Sequence, residues 1–363
     1  MSDNTVLAQV RGQVGVITLN RAPALNALSL SMIRQITAAL LEWRDDAAVT
    51  AVLMRGAGRE GKASAFCAGG DIRFFHQAAL AGDPALEDFF TEEYSLNHLV
   101  HTYGKPTVVL MDGITMGGGM GLAQGCSLRV VTEHSKLAMP ETNIGLFPDV
   151  GGGWFLARCP GRVGEYLALT GQVLGAADAI EVGLADVFLP AADLPALLES
   201  LTDQPMEAGE QVLAAVRARG RPVGTAALDV HRASIDRHFA AASMPALAAS
   251  LAADGSAWSA DTLSALRQRS PLMMAVTLEQ VRRARAMSLA DELRMERGLV
   301  RRCFHLRPGA ASETVEGIRA LAIDKDHQPR WQPAAIEDVT PALVAPFFES
   351  PWPAHAHPLR GLA

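Results

Sequence analysis

Between Lys105 and Gly153 the chain reads KPTVVLMDGITMGGGMGLAQGCSLRVVTEHSKLAMPETNIGLFPDVGGG, an order of residues that few folds accommodate. A β-branched apolar run, Thr107 to Met111, leads into three consecutive glycines, Gly117, Gly118 and Gly119, which open a helical pattern. Glycine lets a ligand approach backbone N–H groups, so an anionic oxygen can be held there without a cationic side chain. Two acids follow, Glu141 and Asp149, flanked by Ala138-Met139-Pro140 and Ile144-Gly145-Leu146-Phe147-Pro148. An acid with so little polar company costs stability unless it is paired or used. Each feature alone has a plain structural reading, because glycine-rich helix starts pack tightly on strands and acids in loops are solvated. Their combination points to acid/base or nucleophilic chemistry on a carbonyl.

At 363 residues the chain has room for two domains. Hydrophobic residues at 49% and charged residues at 20% describe an ordinary globular protein. The formal net charge of −7 supplies no field for nucleic acid or an acidic membrane face, so neither is an expected partner. A polyanionic ligand must therefore be held locally. Cys67, Cys126, Cys159 and Cys303 stand singly, without CxxC spacing, and read as reduced thiols in or near the core; no metal is expected. The amino end, MSDNTVLAQVRG, has no basic region followed by an apolar stretch, and no apolar run reaches membrane-spanning length. The expectation is a cytoplasmic protein.

Taken in order, Val6 to Val10 and Gln13 to Leu19 read as strands across an Arg11-Gly12 hairpin signal. Asn20-Arg21-Ala22-Pro23 breaks the second strand, and Ser29 caps a helix expected over Leu30 to Trp43. Val49 to Met54 is a further strand, so the alternation is that of an α/β protein. Gly56-Ala57-Gly58-Arg59-Glu60-Gly61-Lys62 copies part of a phosphate-binding loop. However, Ala63 stands where a magnesium-binding Ser or Thr belongs, and no apolar helix starts there, so this is read as a solvated loop. The triple glycine fails the GxGxxG dinucleotide pattern, and neither GxSxG nor HExxH occurs. Gly69-Gly70-Asp71 is a second place where backbone can approach a ligand.

Leu86 to Tyr103 is helical in pattern, and its Glu92-Glu93 pair reads, on spacing alone, as a solvated face. Beyond Gly153 the pattern predicts helices over Arg162 to Thr170 and Ala176 to Val182, then a short strand over Ala185 to Leu189. From about Asp193 the chain is helical in composition, with Ser270 capping a helix whose first residue is Pro271. The proline-rich tail beyond Gln328 is expected as irregular surface chain. The expected division is residues 1–192 for a core with the active site and 193–363 for a helical region.

Several motifs resemble the crotonase (enoyl-CoA hydratase/isomerase) superfamily. They are Asn20-Arg21 with Leu25-Asn26-Ala27-Leu28, AFCAGGDI at Ala65 to Ile72, MDGITMGGGMGL at Met111 to Leu122, and MPETNIGLFPDVGGGWFL at Met139 to Leu156. Ser270-Pro271 and Ala322-Ile323-Asp324-Lys325-Asp326 with Pro329-Arg330-Trp331 extend the match into the carboxyl-terminal region. The resemblance implies a crotonase-like spiral of ββα units followed by a helical region, binding an acyl-CoA thioester. It implies that the Gly70 and Gly118 N–H groups form the oxyanion hole and that CoA lies near Ala68 and Ile72. No cofactor is implied, since CoA is part of the substrate. Relatives are often trimers or pairs of trimers, so a homo-oligomer stays open.

One position departs from the hydratases of that family. Their pair of glutamates matches Glu141 and Gly121, and glycine has no acid to offer. The chain instead resembles the branch that hydrolyses 3-hydroxyacyl-CoA thioesters, with 3-hydroxyisobutyryl-CoA the expected substrate. That resemblance implies Glu141 as nucleophile or general base and Asp149, eight residues on, as its partner acid. It also makes Glu93, in Glu92-Glu93-Tyr94, a substrate contact. The alternatives are an enoyl-CoA hydratase or isomerase and a non-catalytic acyl-CoA binder.

Overall fold

A computed structural model describes residues 4–58 and 65–363. Arg59 to Lys62 of the phosphate-loop look-alike, and Ala63 after it, lie outside the described residues. Packing divides the chain into two compact units that interleave along it. One consists of Met1–Gly70, Ser95–Ala138 and Val173–Ala227, the other of Asp71–Tyr94, Met139–Gln172 and Leu228–Ala363. The division expected at 192/193 follows composition, whereas these units follow contact.

The first is a sheet unit. Among the described residues its strands are β1 (Val6–Arg11), β2 (Val14–Leu19), β3 (Ala51–Gly56), β4 (Ala65–Cys67), β5 (Thr107–Met111), β6 (Ile114–Met116), β7 (Leu128–Val131), β8 (Lys136–Ala138) and β9 (Val187–Phe188). Six form one sheet in the order β1-β2-β3-β5-β7-β9, and β4-β6-β8 form a second. Among these described strand pairs β1–β2 is antiparallel and the rest are parallel. The pairs β3/β4, β5/β6 and β7/β8 each add one strand to each sheet before the chain turns away, which is the expected spiral.

All six residues of β2 are buried, as parallel strands covered on both faces require. On one face Val14, Val16, Leu53, Val108 and Val130 pack with Leu197, Leu201 and Val212 from the helices Leu194–Asp203 and Gly209–Ala218. Each such side chain contributes about 1.5–3 kcal/mol by leaving water. On the other, the helix Leu30–Arg44 brings Trp43 so close that a Cβ at Gly15 would stand 2.4 Å from its ring. Ser29 caps that helix by accepting from the Met32 N–H at 3.3 Å.

The second unit is helical. Its helix Pro271–Ala284 packs on Gly152–Leu156 and Val163–Thr170 and begins as expected, with Ser270 accepting from the Met273 N–H at 3.2 Å. Beyond Gln328 the chain is mostly irregular but holds a four-residue helix, Pro341–Val344, where proline at the first position presets the turn. The four cysteines are buried thiols.

Candidate active site

Within the sheet unit, the backbone around Gly70 is set by the loop that leaves β2. Leu25 and Asn26 adopt left-handed backbone, φ +54° and +57°. The buried Asn26 amide repays this strain by donating to the carbonyls of Ala65 at 2.8 Å and Ala57 at 3.2 Å. The Ala68 N–H then donates to Leu25 and the Leu28 N–H to Gly69. An added Cβ at Gly119 would stand 2.3 Å from the Cys67 carbonyl, and one at Gly69 3.7 Å from the Gly118 nitrogen. The two glycine segments therefore lie side by side, an approach that the missing side chain at Gly119 permits, while Gly69 is needed for its φ of +109°. Gly118 is the first residue of the helix Gly118–Gln124, where backbone N–H groups have no intrahelical partner. Ala68 is half-buried, and Gly121 is buried in the helix Gly118–Gln124 with no carboxylate of its own.

Within the helical unit three of the predicted acids are buried together: Glu93, Glu141 and Asp149 are 2%, 6% and 6% exposed. Glu141 opens the short turn Glu141–Ile144, which is anchored at three points. Thr142 donates to the Leu169 carbonyl at 3.2 Å, Ser270 N–H donates to the Thr142 carbonyl, and Thr314 donates to the Gly145 carbonyl at 2.6 Å. Gly145, at φ +66°, lies against the helix Glu313–Ile318 so closely that a Cβ would stand 2.2 Å from the Glu313 carbonyl. Asp149 is fixed differently, by the buried Tyr94 hydroxyl, which donates to its Oδ2 at 2.8 Å. The next residue, Val150, is held at φ +58°, a left-handed conformation that costs a β-branched residue about 1–3 kcal/mol.

The electrostatics follow from burial without cations. Burial pushes the Glu141 carboxyl well above the usual range, and the Asp149 charge adds to the shift. Glu93 is pushed well up by burial, then by Asp149 and Glu141. Asp149 rises to about 6 through burial, held back by the Tyr94 hydrogen bond. One oxygen of Glu93 and one of Glu141 are buried with no hydrogen-bond partner. A group so placed carries a desolvation cost that only a ligand would offset.

The other predicted residues are placed less distinctively. Asp71 caps the helix Ile72–Ala81 by accepting from the Phe74 N–H at 3.3 Å, and Ile72 is half-buried at its start. A cavity of about 670 Å³ lined by Asn143, Arg267, Gln268, Arg330 and Trp331 contains no carboxylate, so it is not the candidate site. Among the described residues no three His, Cys, Asp or Glu side chains are grouped to hold a metal. Sequence reasoning missed Tyr94 and the anchoring role of Asn26. Both lie inside quoted motifs, so the signal was present, but a hydroxyl's partner 55 residues away cannot be read from spacing.

Comparison with known proteins adds to this geometry. The enoyl-CoA hydratase/isomerase family matches residues 14–348. A "3-hydroxyisobutyryl-CoA hydrolase, mitochondrial" of Gallus gallus is 40% identical over 349 residues, 95% of this chain and 88% of that protein. Among solved structures, an enoyl-CoA hydratase from Rhodobacter sphaeroides 2.4.1 matches with TM-score 0.87 at 39% identity, over 96% of this chain and 98% of its own. A carnitinyl-CoA dehydratase from Mycobacterium thermoresistibile matches with TM-score 0.86 at 36% identity, over 97% and 98%.

The hydrolase relative carries a mitochondrial name, which overturns the cytoplasmic expectation. A plain amino end does not decide a compartment, and neither does the finding that no described helix is long and apolar enough to cross a membrane. With a family match over nearly its whole length, the two-sheet spiral and the motif glycines in place, the chain belongs to the enoyl-CoA hydratase/isomerase family, the crotonases.

Proposed function

We propose that the chain hydrolyses a 3-hydroxyacyl-CoA thioester, with 3-hydroxyisobutyryl-CoA as substrate, to the free hydroxy acid and CoA. The observation that carries this reading is the pairing of an absence with a presence. Gly121 offers no second glutamate for adding water to a double bond, while Asp149 is buried and aimed by Tyr94. The name of the Gallus gallus relative supports the same choice over the hydration and dehydration named for the two structural neighbours. On this reading the reaction serves branched-chain amino acid breakdown, at valine.

Glu141 attacks the thioester carbonyl, giving a mixed anhydride that water then opens, or it takes a proton from a water that attacks instead. In either route a C–O bond forms first and the C–S bond breaks afterwards, and the Gly70 and Gly118 N–H groups stabilise the oxyanion between these events. Losing one such donor typically costs roughly 2.7–4 kcal/mol of transition-state stabilisation. Asp149, its pKa raised to about 6 by burial, gives a proton to the departing thiolate. Glu93 takes the substrate's 3-hydroxyl with its unpartnered oxygen. CoA lies along Ala68 and Ile72, and no metal or redox group enters the reaction as proposed.

The test is thiol release from 3-hydroxyisobutyryl-CoA and isobutyryl-CoA in parallel, with Glu141→Gln as control. Release should be fast from the hydroxy ester, slow from the ester that leaves Glu93 unpaired, and lost in the variant. Comparable turnover of the two esters would remove the role given to Glu93. Release that survives Glu141→Gln would remove the mechanism.

A further inference from the structure

The helix Leu289–His305 sends two fully buried carboxylates, Glu292 and Glu296, toward the turn that carries Asp149. Glu296 accepts the backbone N–H groups of Gly151 at 2.8 Å and Gly153 at 3.2 Å. From the helix Pro271–Ala284 the buried Gln280 amide donates to the Pro148 carbonyl at 2.7 Å and to Glu296 at 2.9 Å. The chain is thus gripped on both sides of Asp149, across the left-handed residues Val150 and Gly151 at φ +58° and +85°. The fit is close, since a Cβ at Gly153 would stand 2.3 Å from a Glu292 oxygen and 2.8 Å from the Gln280 amide nitrogen.

This cluster is a poor way to make a core stable. No described hydrogen bond or salt bridge joins either carboxylate to a cation, and one oxygen each of Gln280 and Glu292 has no hydrogen-bond partner. Apolar side chains of similar volume would pack the same space without that desolvation cost. What they would not supply is two acceptors for the two N–H groups that follow Asp149.

We propose that Glu296, braced by Gln280, is a positioning residue: it locks the strained turn after Pro148 so that Asp149 keeps its aim through turnover. The inference rests on the role given to Asp149 above. Glu292 makes no bond to the turn; it packs against Gly153 and accepts from the Gln280 amide at 3.3 Å, so its effect on the turn is indirect.

Glu296→Gln keeps the volume but presents an amide NH₂ to one of two N–H donors. Its kcat for thiol release, per folded molecule, should fall roughly 10- to 100-fold as Asp149 drifts, while KM stays near wild type. Glu292→Gln should lose much less. Should Glu296→Gln fail to fold, Gly153→Ala carries the same prediction, because its methyl group displaces the Gln280 and Glu292 heads without touching Asp149. A lowered melting temperature with unchanged kcat per folded molecule would overturn the proposal and leave Glu296 a structural residue. Asp149→Asn, assayed beside it, separates the two claims. If Asp149→Asn retains full release, the role of Asp149 itself is lost. If it is inactive while Glu296→Gln is unimpaired, only the positioning claim falls.

Discussion

Glu165 and Glu141 are both buried acids of the helical unit, yet their surroundings differ in kind. The Glu165 carboxylate is fully covered and accepts from Arg162 at 2.8 Å and from Arg285 at 2.7 and 2.9 Å, so its charge is answered twice. Glu141 has an oxygen with no hydrogen-bond partner, and the charge that most affects it is another carboxylate, Asp149. Burial alone therefore does not identify a functional acid. Burial without a cation makes an acid a candidate, because the cost persists until a ligand, a proton or a nearby donor offsets it.

The comparison breaks most visibly at Glu141. Glu141→Gln should lower kcat roughly 10²- to 10⁴-fold with little change in melting temperature, measured by thiol release and thermal unfolding of one preparation. A small loss of activity with a large loss of stability would put Glu141 in the same class as Glu165.

Asp149→Asn should cost roughly 10²-fold and also move the pH profile. The Asp149 charge raises the Glu141 pKa, so removing it lets Glu141 ionise at lower pH. The acid limb of the residual activity should therefore shift to lower pH. A shift to higher pH, or none, would contradict the coupling.

Glu165→Gln sharpens the contrast from the other side. It should destabilise by about 1–3 kcal/mol, since the two arginines left behind are each partly exposed, and leave kcat per folded molecule unchanged. Denaturant unfolding reads the first quantity and thiol release the second.

The smallest effect is expected at Glu292. Its pKa in the folded protein is raised by burial to about 7, so its contribution to stability is intact below the ordinary carboxylate pKa and is lost as pH rises toward 7. Glu292→Gln removes that loss. Its melting temperature relative to wild type should climb through this window by roughly 2–4 °C and level off above it.

Much of this architecture was legible along the chain. Ser29 and Ser270 marked helix starts that the structure keeps, and β2 and β5 were plain from their apolar, β-branched runs. Strand ends were less legible: the run over Ala185 to Leu189 supplies only Val187–Phe188, because pairing with β7 is limited to Val130 and Val131. Glu93 could not be read from periodicity. A pair of glutamates on a helix looks the same whether it faces water or other acids, and only the family resemblance singled it out.

The grip of Glu296 and Gln280 on the Asp149 turn was not legible at all. It joins residues more than 130 positions apart through backbone N–H and C=O groups, which leave no trace in side-chain pattern.

The central claim is that this acid set, lacking a carboxylate at Gly121, cleaves a thioester and does not add water across a double bond. Thiol release from 3-hydroxyisobutyryl-CoA and hydration of crotonyl-CoA, followed side by side on one preparation, test it most directly. The account predicts rapid release with hydration absent or slower by orders of magnitude. Hydration as fast as release, or hydration alone, would contradict it.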